Sequence, residues 1–307
     1  MIETNSLEIF KQNVYIPTPI GMVSNNAYLS IVTTNRCQRK CVYCINSETD
    51  QTLELPVGKA VTNISKVVDE YNIQEAILLG GEPTLHPKLF ELLRKLRTET
   101  NLKFIRLTTN GIELKNNELF ISKLVDKDFG IQGLNISFHN EDFMTFEELE
   151  DVCIFVRKYN PSIKIRINLN VWKGNNDTFS GIVDMYDKLW FVDEKRVSNI
   201  IPKDGFSVNP KNSDFIGLSE NEYHTFFNRL CAAYSRSMTL IENKDTLGFV
   251  RYVLIPRTVP IIINWNIGSK VSDQICENDI VSRKINTFKC LVNGEISLSW
   301  NESNILK

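Results

Sequence analysis

Between residues 27 and 203 short apolar runs alternate with amphipathic stretches, and nothing else in the chain limits its fold so tightly. Ala27–Thr34, Ala76–Leu79, Phe104–Thr109, Leu134–Phe138, Ile163–Val171 and Val197–Ile201 read as strands. Val57–Tyr71, Pro87–Arg97, Glu147–Tyr159 and Gly181–Phe191 have helical spacing; in the second of these Leu89, Leu92, Leu93 and Leu96 share one face. Such alternation calls for parallel strand pairing with helices covering the outside of the sheet. Six units are too few to close an eight-fold barrel, so the expected fold is α/β, an open partial (β/α)6 parallel barrel. Residues 1–26 contain Pro17, Pro19 and Gly21 and read as an irregular N-terminal lead-in. The barrel is expected over 27–204. Beyond it, residues 205–307 read as a smaller α+β extension on the substrate side. There Glu220–Ser237 is helical in character, and the apolar runs of Arg251–Trp265 are broken by Pro256 and Pro260. Cys290–Trp300 reads as a hairpin turning at Asn293-Gly294.

Charge and hydropathy narrow the function classes. With 35 basic and 37 acidic residues the net charge is -2, so no strongly basic face is implied and a nucleic-acid substrate is disfavoured. No apolar stretch approaches the ~20 residues of a membrane span. Glu3 and Glu8 stand where a signal peptide would be positive and then apolar. Seven cysteines without such a signal suggest a reducing cytoplasm, where thiols bind metals or pack in the core.

Three of those cysteines, Cys37, Cys41 and Cys44, follow the first strand in a C-x3-C-x2-C spacing. Three thiolates on one loop can hold three irons of a four-iron, four-sulfur cube and leave the fourth iron open. Structural zinc is the alternative, but it would need a fourth cysteine or histidine, and the chain has only His86, His139 and His224 to offer. Gly80-Gly81-Glu82-Pro83 lies at the C-terminal end of the second strand, where ligands of parallel sheets gather. Paired glycines let the backbone approach a ligand closely. Glu82 offers an acceptor for an ammonium group, and Pro83 fixes the chain direction.

The cysteine spacing together with this glycine–glutamate element resembles the radical S-adenosylmethionine (SAM) enzymes, and the resemblance continues along the barrel. It implies a [4Fe-4S] cluster on Cys37, Cys41 and Cys44, with SAM chelating the open iron through its amino and carboxylate groups. An external one-electron reductant of the flavodoxin or ferredoxin type would supply the electron that cleaves SAM. The resulting 5'-deoxyadenosyl radical takes hydrogen from an unactivated carbon, chemistry that belongs to the cofactor. The resemblance also implies that Tyr43 packs near the adenine and that Gly80, Gly81, Glu82 and Pro83 meet the methionyl amino group. Thr108-Thr109-Asn110-Gly111 resembles the family's TNG segment and brings Asn110 to the site. Ser137, in Asn135–His139, would reach the ribose; alternatively it is a strand-end serine making only local bonds. Asn168 and Asn170 alternate with apolar residues and share a face with Arg166. If that face points into the barrel they can contact ribose or carboxylate; if outward, they are solvated. Parity leaves both open. His139 reads as a general acid or base, or as a structural strand-end histidine.

Near the C-terminus Asp273, Cys276 and Cys290 form D-x2-C-x13-C, similar to the C-x2-C-x13-C of the molybdopterin-pathway GTP cyclases with aspartate for the first cysteine. Those enzymes hold a second cluster there. A second iron–sulfur cluster using Cys276, Cys290 and Cys231 therefore stands beside plain core packing. Cys153, in a helical stretch, reads as packing. The chain ends Ile305-Leu306-Lys307 rather than in the cyclases' diglycine tail, so GTP cyclisation is not expected. The leading expectation is hydrogen abstraction from a small polar biosynthetic substrate: a sugar, nucleotide or amino-acid derivative. A peptide substrate is the alternative, disfavoured by the short lead-in. A non-enzymatic iron–sulfur electron carrier would explain the cysteines but not Gly80-Gly81-Glu82.

Overall fold

Parallel strands flanked by amphipathic helices make up the barrel of the computed structural model. It describes residues 13–41, 44, 46, 49–139, 143–172, 181, 184, 187–199, 221–222, 225–226, 228–229, 232, 240–244, 249–254, 261–266, 283–299 and 305–306. The strands that build the barrel are β2 (Gly21–Val32), β3 (Glu75–Leu79), β4 (Phe104–Thr109), β5 (Gly133–Ser137), β6 (Lys164–Val171) and β7 (Glu194–Asn199). Each pairs in parallel with the next. The helices between them are α1 (Val57–Tyr71), α2 (Leu89–Glu99), α3 (Glu118–Leu124) and α4 (Phe146–Tyr159). After β6, Gly181, Asp184, Asp187 and Lys188 are helical.

Local chemistry sets the helix ends. Asn72 takes a left-handed conformation (φ 51°) and closes α1, donating from its N–H to the Val68 carbonyl. At the start of α4, Thr145 and Glu148 form a reciprocal capping box. Asn117 caps α3 by accepting from the Phe120 N–H.

One face of the sheet is apolar throughout. Leu29, Ile31, Leu78, Ile105, Leu107, Leu134, Ile136, Ile165, Ile167, Leu169 and Val197 are fully buried, and they join α1–α4 residues such as Ile64, Leu92, Ile121 and Leu149 in one core. The opposite face, the interior of the barrel, is mixed: Ile77 and Leu79 of β3 and Phe104 of β4 lie on it, while β5–β7 turn mainly polar side chains inward. Arg166, Asn168 and Asn170 lie on it, because alternation places Ile165, Ile167 and Leu169 toward the helices.

Two features differ from the sequence expectation. The lead-in is not wholly irregular: β1 (Tyr15–Thr18) pairs antiparallel with the start of β2, and Gly21 (φ 130°) stands at the turn. The described strands within 205–307 also extend the barrel sheet at both edges. β10 (Ile261–Asn266) lies parallel to β7, followed outward by β9 (Phe249–Leu254) and β8 (Leu240–Lys244). At the other edge β11 (Lys284–Cys290) lies parallel to β2, and β12 (Ile296–Ser297) returns from it antiparallel, the hairpin expected around Asn293-Gly294. The order is β12-β11-β2-β3-β4-β5-β6-β7-β10-β9-β8, an open sheet. Among the described residues no helix is long and apolar enough to cross a membrane.

Candidate cluster and cosubstrate site

The loop from Thr34 to Leu55 leaves the end of β2 and folds back across the C-terminal edge of the sheet. Its base is a short ladder: the Leu55 N–H donates to the Thr33 carbonyl, the Asn35 N–H to Leu53, and Thr34 bridges Glu54. The Asn35 side chain donates to the Asp50 carbonyl, so the two limbs are stapled before the cysteines begin. Cys37, Cys41 and Cys44 occupy the loop tip, all partly exposed. Burial pushes the Cys37 thiol above its ordinary value; the Arg39 N–H opposes the shift, while the charges of Glu82, Cys41 and Cys44 add to it. Cys44 is raised by burial in the same way and also feels Cys41. The three thiols are thus electrostatic neighbours.

That donor set fits a cube. Soft thiolates suit iron–sulfur ligation, and a bound cationic cluster holds a coordinating thiol deprotonated, offsetting the raised values. Among the described residues no three His, Cys, Asp or Glu side chains are arranged to hold a single ion.

The loop is clamped to the end of β3, and here the two glycines have a more specific purpose than sequence suggests. The Gly81 N–H donates to the Thr34 carbonyl at 2.7 Å and the Glu82 N–H to Arg36 at 2.8 Å. A Cβ on Gly81 would stand 2.4 Å from the Arg36 oxygen, and one on Gly80 (φ 143°) 2.4 Å from that of Thr34. The close approach is therefore that of the cysteine loop's own backbone. The Asn46 amide donates to the Gly80 carbonyl, tying down the far side of the loop.

Glu82 is 1% exposed, and its carboxylate points inward. Oε1 accepts from the Thr84 N–H and hydroxyl and from the Thr109 hydroxyl, the last two at 2.6 Å. Oε2 accepts from the Asn110 N–H at 2.8 Å. Burial raises the Glu82 carboxyl while these bonds pull it back. The residue joins the ends of β3 and β4. Pro83 opens the short 3-10 turn Pro83–Leu85 that Glu82 caps. Asn110 extends its amide toward the Gln38 side chain at 3.4 Å and the Cys37 sulfur at 4.0 Å. The cysteine loop, Gly80–Pro83 and Asn110 thus form one hydrogen-bonded unit.

Ser137 ends β5 beside Asn168 of β6, and both face the barrel interior. Asn170, one step further along that face, is engaged with His139. Its backbone N–H donates to Nδ1 at 3.1 Å, and its side-chain Nδ2 lies 3.4 Å from Nε2, so both ring nitrogens are engaged by the one residue. Burial, with the nearby Arg39 charge, lowers His139 to about 3. A neutral, enclosed imidazole orients β5 against β6 and is not a proton carrier near neutrality. His86 is likewise structural: Nδ1 accepts from the Lys88 N–H and Nε2 faces the Leu55 carbonyl. Arg39, which sequence reasoning passed over, stacks its guanidinium 3.2 Å from the Phe143 ring centroid and fastens the loop to the segment after β5.

Several expectations fall elsewhere. Tyr43, His224, Cys231, Asp273 and Cys276 lie outside the described residues. Cys290 is fully buried on the helix-facing side of β11, its thiol pushed up to about 12 by burial, with Sγ directed at the Leu291 carbonyl. Cys153 packs in the core from α4.

Fold and site together define an open α/β barrel with a three-thiol loop lashed across the C-terminal ends of its strands. The sequence pattern of the radical SAM superfamily matches residues 31–185, about half of the chain. The chain belongs to that superfamily, whose members use a [4Fe-4S] cluster and SAM. Similar curated proteins include a probable GTP 3',8-cyclase of Sulfurisphaera tokodaii, 32% identical over 124 residues, which are 40% of this chain and 38% of that protein. The GTP 3',8-cyclase of Staphylococcus epidermidis is 29% identical over 174 residues, 52% of this chain and 49% of the relative. The chain therefore aligns with half or less of the length of each. Among solved structures, Streptococcus suis SuiB bound to S-adenosylmethionine superposes with a TM-score of 0.62 at 14% identity, covering 93% of this chain and 64% of that one. SuiB bound to its precursor peptide SuiA gives 0.56 at 16% identity, covering 95% and 63%. These likenesses concern the fold.

Proposed function

We propose that this chain is a radical SAM enzyme that holds a [4Fe-4S] cluster on Cys37, Cys41 and Cys44 and abstracts hydrogen from a small polar substrate inside the barrel. The observation that carries the reading is the single hydrogen-bonded unit joining the cysteine loop to Gly80–Pro83 and Asn110 at the strand C-termini. When bound, the cluster supplies the electron that splits SAM into methionine and a 5'-deoxyadenosyl radical. The protein's part is positional. Gly80 and Gly81 let the loop lie flat on the sheet, and Glu82 fixes β3 against β4. The Gly80–Pro83 backbone, Asn110, Ser137, Asn168 and Asn170 offer polar contacts to the cosubstrate around the mouth, with Tyr43 against its adenine. Strands β2–β7 and their helices keep bulk water from the reacting carbon. A flavodoxin- or ferredoxin-type protein of the reducing cytoplasm is the proposed electron donor.

The polar side chains that β5–β7 turn into the barrel, Asn135, Ser137, Arg166 and Asn168 among them, support a small polar molecule as substrate. The test is direct. Anaerobically reconstituted, reduced protein given SAM is expected to release 5'-deoxyadenosine, and Cys41→Ala is expected to abolish release while circular dichroism stays unchanged. Continued cleavage by that variant would refute the cluster assignment, and absence of cleavage by the parent would leave an electron carrier. Mass spectrometry of reaction mixtures separates a modified metabolite from a modified peptide.

A further inference from the structure

The barrel interior contains a row of polar side chains deeper than any contact assigned to the cosubstrate. Thr108 of β4, Asn135 of β5, Arg166 of β6 and Glu194 of β7 are cross-strand neighbours in register. Ser137, Asn168 and Arg196 form the next row, two residues nearer the mouth, or roughly 6–7 Å along the strands. In the deeper row Asn135 Nδ2 donates to Thr108 Oγ1 at 3.2 Å, and Arg166 Nε pairs with Glu194 Oε2 at 2.6 Å. Asn135 is 4% exposed and Glu194 9%.

Three oxygens on these rows are buried without a hydrogen-bond partner: Asn135 Oδ1, Glu194 Oε1 and Asn168 Oδ1. All three can only accept, the Glu194 carboxylate being ionised in its pair with Arg166. Folded proteins leave few buried acceptors unpaired, because doing so is costly. Three on adjacent strands, all on the interior face, form a surface complementary to a ligand rich in O–H or N–H groups. Charge narrows the choice. Arg166 is neutralised by Glu194, so the deeper row carries no net charge, and Arg196 in the next row disfavours an ammonium. A hydroxyl answers both needs, donating to the amide and carboxylate oxygens while accepting from a guanidinium.

We propose that Asn135, Arg166 and Glu194 form the substrate subsite, and that it takes the vicinal hydroxyls of a small neutral sugar or cyclic polyol. This deepens the functional reading above and rests on it. The same chemistry exists in the ribose of SAM, so the test keeps the two sources apart. Full-length protein would be titrated calorimetrically with D-glucose, D-ribose, myo-inositol and guanosine, and in a separate arm with SAM on reconstituted protein. At least one polyol is expected to bind the parent, and Asn135→Leu to weaken it by about tenfold or more, the effect of losing about 1.4 kcal/mol. SAM affinity and SAM cleavage are expected to stay at parental levels in that variant. Glu194→Gln, which keeps the side-chain shape, serves if Asn135→Leu does not fold and is expected to weaken the same polyol. Failure of every panel member to bind, or polyol affinity indifferent to both substitutions, would overturn the subsite. Loss of SAM affinity alone would assign these residues to the cosubstrate and overturn it as well. A protein that cleaves SAM but ignores the panel refutes only this inference; one that binds a polyol but never cleaves SAM refutes the reading beneath it.

Discussion

Glu82 shows how one side chain acquires a role that its motif does not state. Its position in Gly80-Gly81-Glu82-Pro83 suggests an acceptor held out to a ligand, yet four donors from Thr84, Thr109 and Asn110 already converge on the carboxylate. Glu82→Ala would strand those buried donors. We expect the protein without cluster or SAM to lose about 3 kcal/mol or more of stability, read from urea unfolding, because buried donors are left unpaired. If Glu82 served the cosubstrate alone, the cofactor-free protein would be indifferent to the change. His139 gives a second test at this scale. Its folded value of about 3 lies below the ordinary histidine range, so the unfolded chain binds the proton first as pH falls. The contribution is therefore fully present near neutrality and fades on acidification from about pH 6.5 toward 3. It should amount to roughly 2 kcal/mol of lost stability between pH 7 and 5. His139→Asn is expected to flatten that part of the pH profile; an unchanged slope would mean the imidazole is not enclosed.

At the scale of elements, strands and longer helices were legible because their periodicities are strong. The α1 range expected from apolar spacing coincides with the helix, as does β4. Short elements were not. α3 has seven residues, two turns, too few for a 3.6-residue period to stand out from its surroundings. β1 was obscured by Pro17, which an edge strand tolerates because its missing N–H is not needed by the ladder. The most consequential strand is β11. Its alternation is broken by an irregularity between Ile285 and Thr287, and nothing local says that it lies parallel to β2 rather than within a separate extension. Phe288 on β11 is fully buried and stacks on Tyr71 of α1, with ring centroids 5.0 Å apart. Phe288→Ala should cost about 3–5 kcal/mol and lower the unfolding midpoint of the whole barrel, monitored by circular dichroism. An unaffected barrel signal would show that β11 is energetically separate.

For the whole molecule, the sheet runs unbroken from β12 to β8, so the described strands β8–β12 reinforce both edges of the barrel. That arrangement bears on the metal content. Cys290 faces the core from β11 and has its thiol raised to about 12. Reconstituted protein is therefore expected to hold about four irons per chain, one cube, in a colorimetric iron assay; about eight would revive a second cluster. The sequence by itself determined the fold class, the thiol triplet and the family, since each depends on residue type and spacing within a single stretch of chain. Tertiary structure alone decided that Gly80 and Gly81 make room for the cysteine loop, that Glu82 is turned inward and that Asn135, Arg166 and Glu194 stand side by side. Those facts depend on which strands become neighbours and in what register. That choice is made by the packing of apolar faces from distant segments, and no local pattern encodes it.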